Sequence, residues 1–285
     1  MAGTQLFRAS LWMVVAVLSL AMMAIAAREL SAEFSTFQIL FFRGVVSFLV
    51  MVAIVMKVGW YRVRTNYLGL HVVRNLAHFV GQFAWIFGIA LIPLAEVFAL
   101  EFTMPIWTAI FASLYLGEKI SAVRRIAIFI GFIGVLVMLR PGVQAISPVA
   151  FVVLGAALSY GVAHTFTKRL SDVDSSIAIL FYMSALQLPM SAFAFTEDWH
   201  FPSAMMSFWV ISIGLFALSA HYCMTRAFKL ERVAVLMPID FLRLPFIALV
   251  GFFAYGEMPD LWVYVGAVIV FLGSWLNLRE GSRKP

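Results

Sequence analysis

Ten apolar runs, each close to the ~20 residues that carry an α-helix across the hydrocarbon core of a bilayer, follow one another along this chain with only short connections between them. They predict helices over residues 9–27, 36–57, 67–91, 93–116, 121–140, 146–168, 176–195, 205–229, 232–254 and 259–278. The turn between the third and fourth falls at Leu91, Ile92 and Pro93, because proline can begin a helix but not continue one and biases Ile92 away from helical angles. Charged residues make up 12% of the 285 and hydrophobic ones 64%, against ~25% charged in a typical soluble domain. A soluble enzyme and a disordered binding module are both excluded. The expected fold class is all-α integral membrane, with ten transmembrane helices. The single cysteine, Cys223, excludes an intramolecular disulfide and a cysteine-only metal cluster.

The N-terminal segment imitates a secretory signal, with Arg8, an apolar run from Leu11, and Ala24 to Ala26 standing as a cleavage site. The repeat described below requires it instead as a permanent helix. The basic residues explain the pI near 9.7. With the N-terminus inside, 14 of the 20 lie at inward ends: Arg8, Lys57, Arg62, Arg64, Lys119, Arg124, Arg125, Lys168, Arg169, Lys229, Arg232, Arg279, Arg283 and Lys284. Only Arg28 and Arg140 lie at outward ends, beside the acidic Glu197, Asp198, Glu257 and Asp260. This bias predicts cytoplasmic termini and replaces the nucleic-acid partner that a basic pI would otherwise suggest.

The chain repeats itself at a spacing near 140 residues. At an offset of 139, Ala95, Phe102, Ala109, Gly117, Glu118, Gly134, Arg140 and Gly142 recur as Ala234, Phe241, Ala248, Gly256, Glu257, Gly273, Arg279 and Gly281. At an offset of 140, Leu18, Ser19, Leu30, Ser31, Ser35 and Ile39 to Phe41 recur as Leu158, Ser159, Leu170, Ser171, Ser175 and Ile179 to Phe181. The expected units are residues 1–142 and 143–285. Each holds five helices, and an odd number forces the second copy to sit inverted, as in secondary transporters built around a midplane site.

The segment Ile92 to Ala95, Met104 to Ile106 and Leu116 to Lys119, followed by Gly131, Gly134 and Arg140 to Gly142, resembles the EamA-type domain of the drug/metabolite transporter superfamily. A second copy runs through Ala227, Phe228, Ala234, Pro238, Gly256 to Asp260 and Gly266. The resemblance covers almost the whole chain and implies two inverted five-helix repeats. Phe41 to Arg43 and Val73 to Asn75 resemble a bacterial branch containing S-adenosylmethionine and riboflavin carriers. Two features depart from family patterns. The first helix has no acid, unlike that of the small multidrug exporters, and Asp240 and Phe241 stand where the branch tends to carry an aromatic residue.

A charge at the bilayer centre costs about 2.5–3.5 kcal/mol on insertion scales, so it marks a functional candidate. Arg43, Arg74, Glu101, Asp240 and Arg243 lie deep within predicted helices, while Glu96 and Arg226 lie near the interfaces. On the third helix His71, Asn75, His78, Gln82 and Trp85 recur at spacings of 4, 3, 4 and 3, forming one stripe with Arg74 beside it. The stripe reads either as a cavity lining or as a hydrogen-bonded seam between helices. Glu101 and Asp240 hold equivalent places in the two repeats. Asp240 and Arg243 can pair at i, i+3, and Arg43 or Arg74 is the expected counter-ion of Glu101. These acids read as a structural ion pair or as groups that change protonation during transport. Tyr160, His164 and Thr167 share a face of the sixth helix, with Tyr182 and Gln187 on the seventh. His164 alone reads as a hydrogen-bonded interior histidine or a proton relay. Pro105 and Pro238 interrupt backbone pairing near the acids, and Gly131, Gly134, Gly266 and Gly273 read as helix-packing positions.

The substrate-binding set expected from sequence is therefore Arg43, Arg74, His78, Gln82, Trp85, Glu101, Tyr160, His164, Asp240 and Arg243. The expected protein is a bacterial cytoplasmic-membrane carrier of a small amphipathic metabolite, such as riboflavin or an S-adenosylmethionine-like compound. Protons are the candidate coupling ion. No cofactor, metal or catalytic residue is assigned. An exporter of aromatic amino acids or drugs is the alternative, with a lipid flippase, a channel or an intramembrane enzyme more distant. The chain carries no HExxH, GxSG or GxGD motif.

Overall fold

Local capping chemistry sets several helix ends. Ser35 and Gln38 form a reciprocal capping box at the start of one helix. Ser147 caps another, whose first residue is Pro148. Gly256, at φ +63°, ends a third in the left-handed conformation that glycine adopts without strain. The computed structural model describes residues 2–116, 122–140, 147–192, 199–230, 239–240 and 242–283. Its helices are α1 (Ala2–Leu30), α2 (Thr36–Val58), α3 (Leu68–Leu91), α4 (Leu94–Glu101), α5 (Met104–Leu116), α6 (Ala122–Leu139), α7 (Pro148–Val173), α8 (Ser176–Ala192), α9 (Ala204–Leu230), α10 (Arg243–Tyr255) and α11 (Leu261–Arg283). A 3-10 turn at Trp60–Val63 joins α2 to α3. The expected turn at Ile92 and Pro93 is present between α3 and α4.

The fourth predicted helix differs from expectation. It is two segments, α4 and α5, separated at Phe102 and Thr103. Pro105 lacks the N–H that would pair with the Glu101 carbonyl, so the ladder breaks at the acid itself. In the ninth span α10 begins at Arg243, after Leu242. Applying the 139-residue offset, Phe102 and Thr103 correspond to Phe241 and Leu242, so both helices restart at the same repeat position. Pro245, in the first turn of α10, matches Pro105 in the first turn of α5 to within one residue. The stretch from Gly117 to Lys119, Pro141 and Gly142, Glu197 and Asp198, and Pro238 and Phe241 lie outside the described residues.

Side-chain contacts sort the connections into two ends. At one, Gln5 donates to the Leu230 carbonyl (2.8 Å), Thr65 to Asp174 (2.7 Å) and Ser175 to the Arg62 carbonyl (2.9 Å). At the other, Arg28 pairs with Glu257 and Arg140 with Asp260. Helix α1 leaves the first end, whereas its repeat counterpart α7 leaves the second, so the two are inverted. The helix pairs obey the same exchange. α1 packs on α9 and α3 on α7, while α2 packs on α8, α4 on α10 and α6 on α11. Swapping the five spans of one repeat for those of the other returns this set unchanged.

α6 and α11 approach closely through glycine, as expected. A Cβ on Gly134 would lie 2.9 Å from the Gly266 carbonyl, and one on Gly273 would lie 2.9 Å from the Gly131 nitrogen. Burial is distributed as in a chain solvated by lipid. Phe7, Leu114 and Phe253 are among many large apolar side chains facing outward, while Arg43, Asn75, Gln82, Glu101, Asp240 and Arg243 are buried inside. Among the described residues, five segments are long and apolar enough to cross a membrane: Gln5–Leu30, Thr36–Val58, Leu94–Tyr115, Pro148–Val173 and Ala204–Ala227.

Candidate functional site

The polar stripe of α3 faces the bundle interior, where it is organised around Gln187 of α8. Arg43 of α2 donates to Gln82 Oε1 (2.6 Å) and to Gln187 Oε1 (2.8 Å). With its oxygen occupied, Gln187 presents its amide N–H groups to Asn75 Oδ1 (3.1 Å) and to His78 Nδ1 (3.0 Å). His78 Nδ1 is therefore an acceptor, which places the ring proton on Nε2. Arg74 donates to Asn75 Oδ1 (2.7 Å) and to Thr167 Oγ1 on α7 (3.0 Å). At the start of α3, His71 Nε2 meets Asp174 Oδ2 at 2.8 Å, and its ring lies 4.5 Å from that of Tyr182.

A second cluster lies where α4 and the ninth span are interrupted. Arg243 reaches Asp240 Oδ2 at 3.0 Å and Glu101 Oε1 at 3.3 Å, while Trp85 Nε1 donates to Glu101 Oε2 at 2.9 Å. The guanidinium also lies over Phe98 (5.0 Å) and Phe102 (5.5 Å). The counter-ion of Glu101 is thus Arg243, not the expected Arg43 or Arg74. Those two are engaged by α3 and α8 amides, whereas the end of α4 faces α10 across the repeat boundary. Two buried acidic side chains therefore share one arginine.

These groups enclose a cavity of about 50 Å³ lined by Leu20, Met23, His78, Gln82, Trp85, Glu101, Met104, Tyr160, His164, His221, Met224, Asp240 and Arg243. It takes a few waters and falls well short of the roughly 300 Å³ at which small-molecule pockets begin. Eight of the ten residues expected from sequence line this space; Arg43 and Arg74 stand behind its wall, Arg43 directly behind Gln82. Arg226, near an interface as expected, is exposed over the Trp12 ring.

Repeat symmetry orders this lining. Leu20 and Tyr160 correspond at offset 140, and Gln82 with His221, Trp85 with Met224, Glu101 with Asp240, and Met104 with Arg243 correspond at offset 139. Ten of the thirteen lining residues are therefore five equivalent pairs, which puts the cavity on the relating axis. His221 and Met224, absent from the expected set, were recoverable by applying that offset to Gln82 and Trp85. His221 also packs on His78, ring centroids 5.1 Å apart. Gln187 joins the network through α8 and had no such sequence signal beyond being an amide in an apolar helix.

Comparison with known proteins agrees with the repeat. The EamA-like transporter family matches residues 7–140 and, a second time, residues 147–279. This chain belongs to that family. It is similar to a riboflavin transporter from Rhizobium johnstonii, 26% identical over 96% of this chain and 92% of its own. An S-adenosylmethionine uptake transporter from Rickettsia prowazekii is 26% identical over 91% of this chain and 88% of its own. A pseudopaline exporter from Pseudomonas aeruginosa is 24% identical over 85% and 86%. A solved crystal structure superposes with a TM-score of 0.67 at 17% identity, covering 96% of this chain and 98% of the other, which is a likeness of fold. The chain is accordingly a multi-pass membrane protein and a small-metabolite transporter of the EamA-like family.

Proposed function

We propose that this transporter works by alternating access across a bacterial cytoplasmic membrane. Its two units, residues 1–142 and 143–285, rock about the central cavity. The carrying observation is the placement of that cavity. It is small and lined by repeat-equivalent pairs, with Glu101, Asp240 and Arg243 at the helix interruptions. Trp85 and Tyr160 supply aromatic faces for a ring, and the triad supplies charge. That combination fits ring-bearing polar metabolites of the kind named for the relatives, riboflavin and S-adenosylmethionine. A proton on either acid leaves a neutral arginine–carboxylate pair, so the same triad supplies a route for proton coupling.

Cytoplasmic termini follow from the basic bias. The two outward basic residues pair with acids, Arg28 with Glu257 and Arg140 with Asp260, and are outnumbered by the 14 at inward ends. The test is uptake of labelled riboflavin and S-adenosylmethionine into proteoliposomes, with and without a pH gradient. Saturable uptake of one of them is expected. Uptake of neither above protein-free vesicles contradicts the assignment.

A further inference from the structure

The described arginines with side-chain partners divide into two kinds. Arg243 pairs with two carboxylates, Arg28 with Glu257 and Arg140 with Asp260. Arg43 and Arg74 are buried to the same degree as Arg243, each 3% exposed, yet every side-chain partner they have is neutral. Arg43 is held by Gln82 and Gln187, and Arg74 by Asn75 and Thr167. The Nε and Nη1 atoms of Arg43 are buried with no hydrogen-bond partner. Amides and hydroxyls satisfy donors but bring no opposing charge, and a buried charge without one is costly. A bundle used only for packing gains nothing from two such guanidinium groups side by side.

We infer that Arg43 and Arg74 receive an anionic group, a carboxylate or a phosphate, carried by the transported molecule. This rests on the carrier assignment above and adds the charge class of the cargo. Gln82 both lines the cavity and occupies Arg43, so the guanidinium lies one amide behind the wall. When the bundle opens, an anion displaces the amide oxygens because charge-assisted, bidentate pairing with arginine is the stronger interaction. Asn75 and Trp85 are ten residues apart on α3, about 15 Å along its axis at 1.5 Å per residue. Arg74 therefore lies toward the end that carries the N-terminus, whereas Arg43, held by Gln82 only three residues from Trp85, lies beside the cavity wall. The ring-binding surface of Trp85 and Tyr160 and the acidic triad lie toward the centre. The cargo enters this frame with its anionic group at Arg43 and Arg74 and its ring against Trp85.

The test compares matched pairs as competitors and as labelled substrates of the full chain in proteoliposomes. S-adenosylmethionine is set against its decarboxylated form, and riboflavin 5′-phosphate against riboflavin. The inference expects the wild type to favour the anionic member of one pair by about tenfold to a hundredfold, the worth of hydrogen bonds to a charged group. The preferred pair identifies the anion as carboxylate or phosphate. Arg43→Gln and Arg74→Gln are expected to bring that ratio near one, with Arg43→Lys retaining part of it. The wild-type comparison stands whether or not the variants fold. Equal handling within both pairs, or preference for the neutral member, overturns the inference while leaving the carrier assignment intact. A preference that survives both glutamine variants removes it from these residues. Transport of none of the four compounds overturns both.

Discussion

Arg243 of the second repeat reaches Glu101 of the first at 3.3 Å while holding Asp240 at 3.0 Å on its own side. The pair joins the two helix interruptions across the inverted repeats, so any rocking of one half against the other must stretch or remake it.

Removing the cation leaves two buried acids facing each other. Arg243→Gln should therefore cost about 3–5 kcal/mol, the range for breaking a buried pair from one side. Glu101→Gln should cost clearly less, because Arg243 keeps Asp240. Thermal unfolding of the purified variants in one detergent checks the order; equal losses would show that the triad does not act as a unit.

Trp85 serves Glu101 with its N–H and the cavity with its ring. Trp85→Phe deletes the donor and keeps an aromatic face, so an effect of about 1.5–3 kcal/mol on Glu101 pairing is expected. Trp85→Ala should lose substrate affinity in addition. Binding and uptake measured in parallel separate the two.

At the far end Glu257 pairs with Arg28 and also accepts from the Leu94 N–H at 2.8 Å, while Arg28 donates to the Ile92 carbonyl at 2.8 Å. This ties α1, the α3–α4 turn and the α10–α11 turn together. Glu257→Gln should loosen that end. A cysteine introduced at Met23, in a background where Cys223 is replaced, should then label faster from that side. Unchanged labelling would mean the contact is not a closure.

Gly134 and Gly266 permit backbone contact between α6 and α11, whereas Gly155 faces open space. Gly134→Ala should destabilise the bundle, and Gly155→Ala should be neutral or gain up to about 1 kcal/mol from helix propensity. Melting temperatures of the two decide.

Much of this architecture was legible because lipid imposes simple rules. Apolar length gives spans, and Arg43 or Glu101 in an apolar run must face inward. The 139- and 140-residue offsets marked the two halves as repeats, which the exchange of α1–α9 for α3–α7 packing obeys. What was not legible depended on which faces meet. Glu101 was matched to the arginines of α2 and α3 because no sequence rule shows that the end of α4 turns toward α10. The interruption at Phe102 was hidden because apolar composition continues through it, and Pro105 signals a break only when its missing N–H is traced back to Glu101. Gln187 became a hub solely through packing of α8 on α2 and α3.

Transport through the triad cavity makes its acids and arginine rate-determining. Its most direct measurement is the initial uptake rate of wild type, Glu101→Gln and Arg243→Gln in proteoliposomes, at matched protein content and with folding verified by melting. Whichever of riboflavin or S-adenosylmethionine the wild type carries serves as substrate. Both variants should lose at least about tenfold in rate, the effect of roughly 1.4 kcal/mol on a limiting step. Folded variants that transport at the wild-type rate would contradict the account.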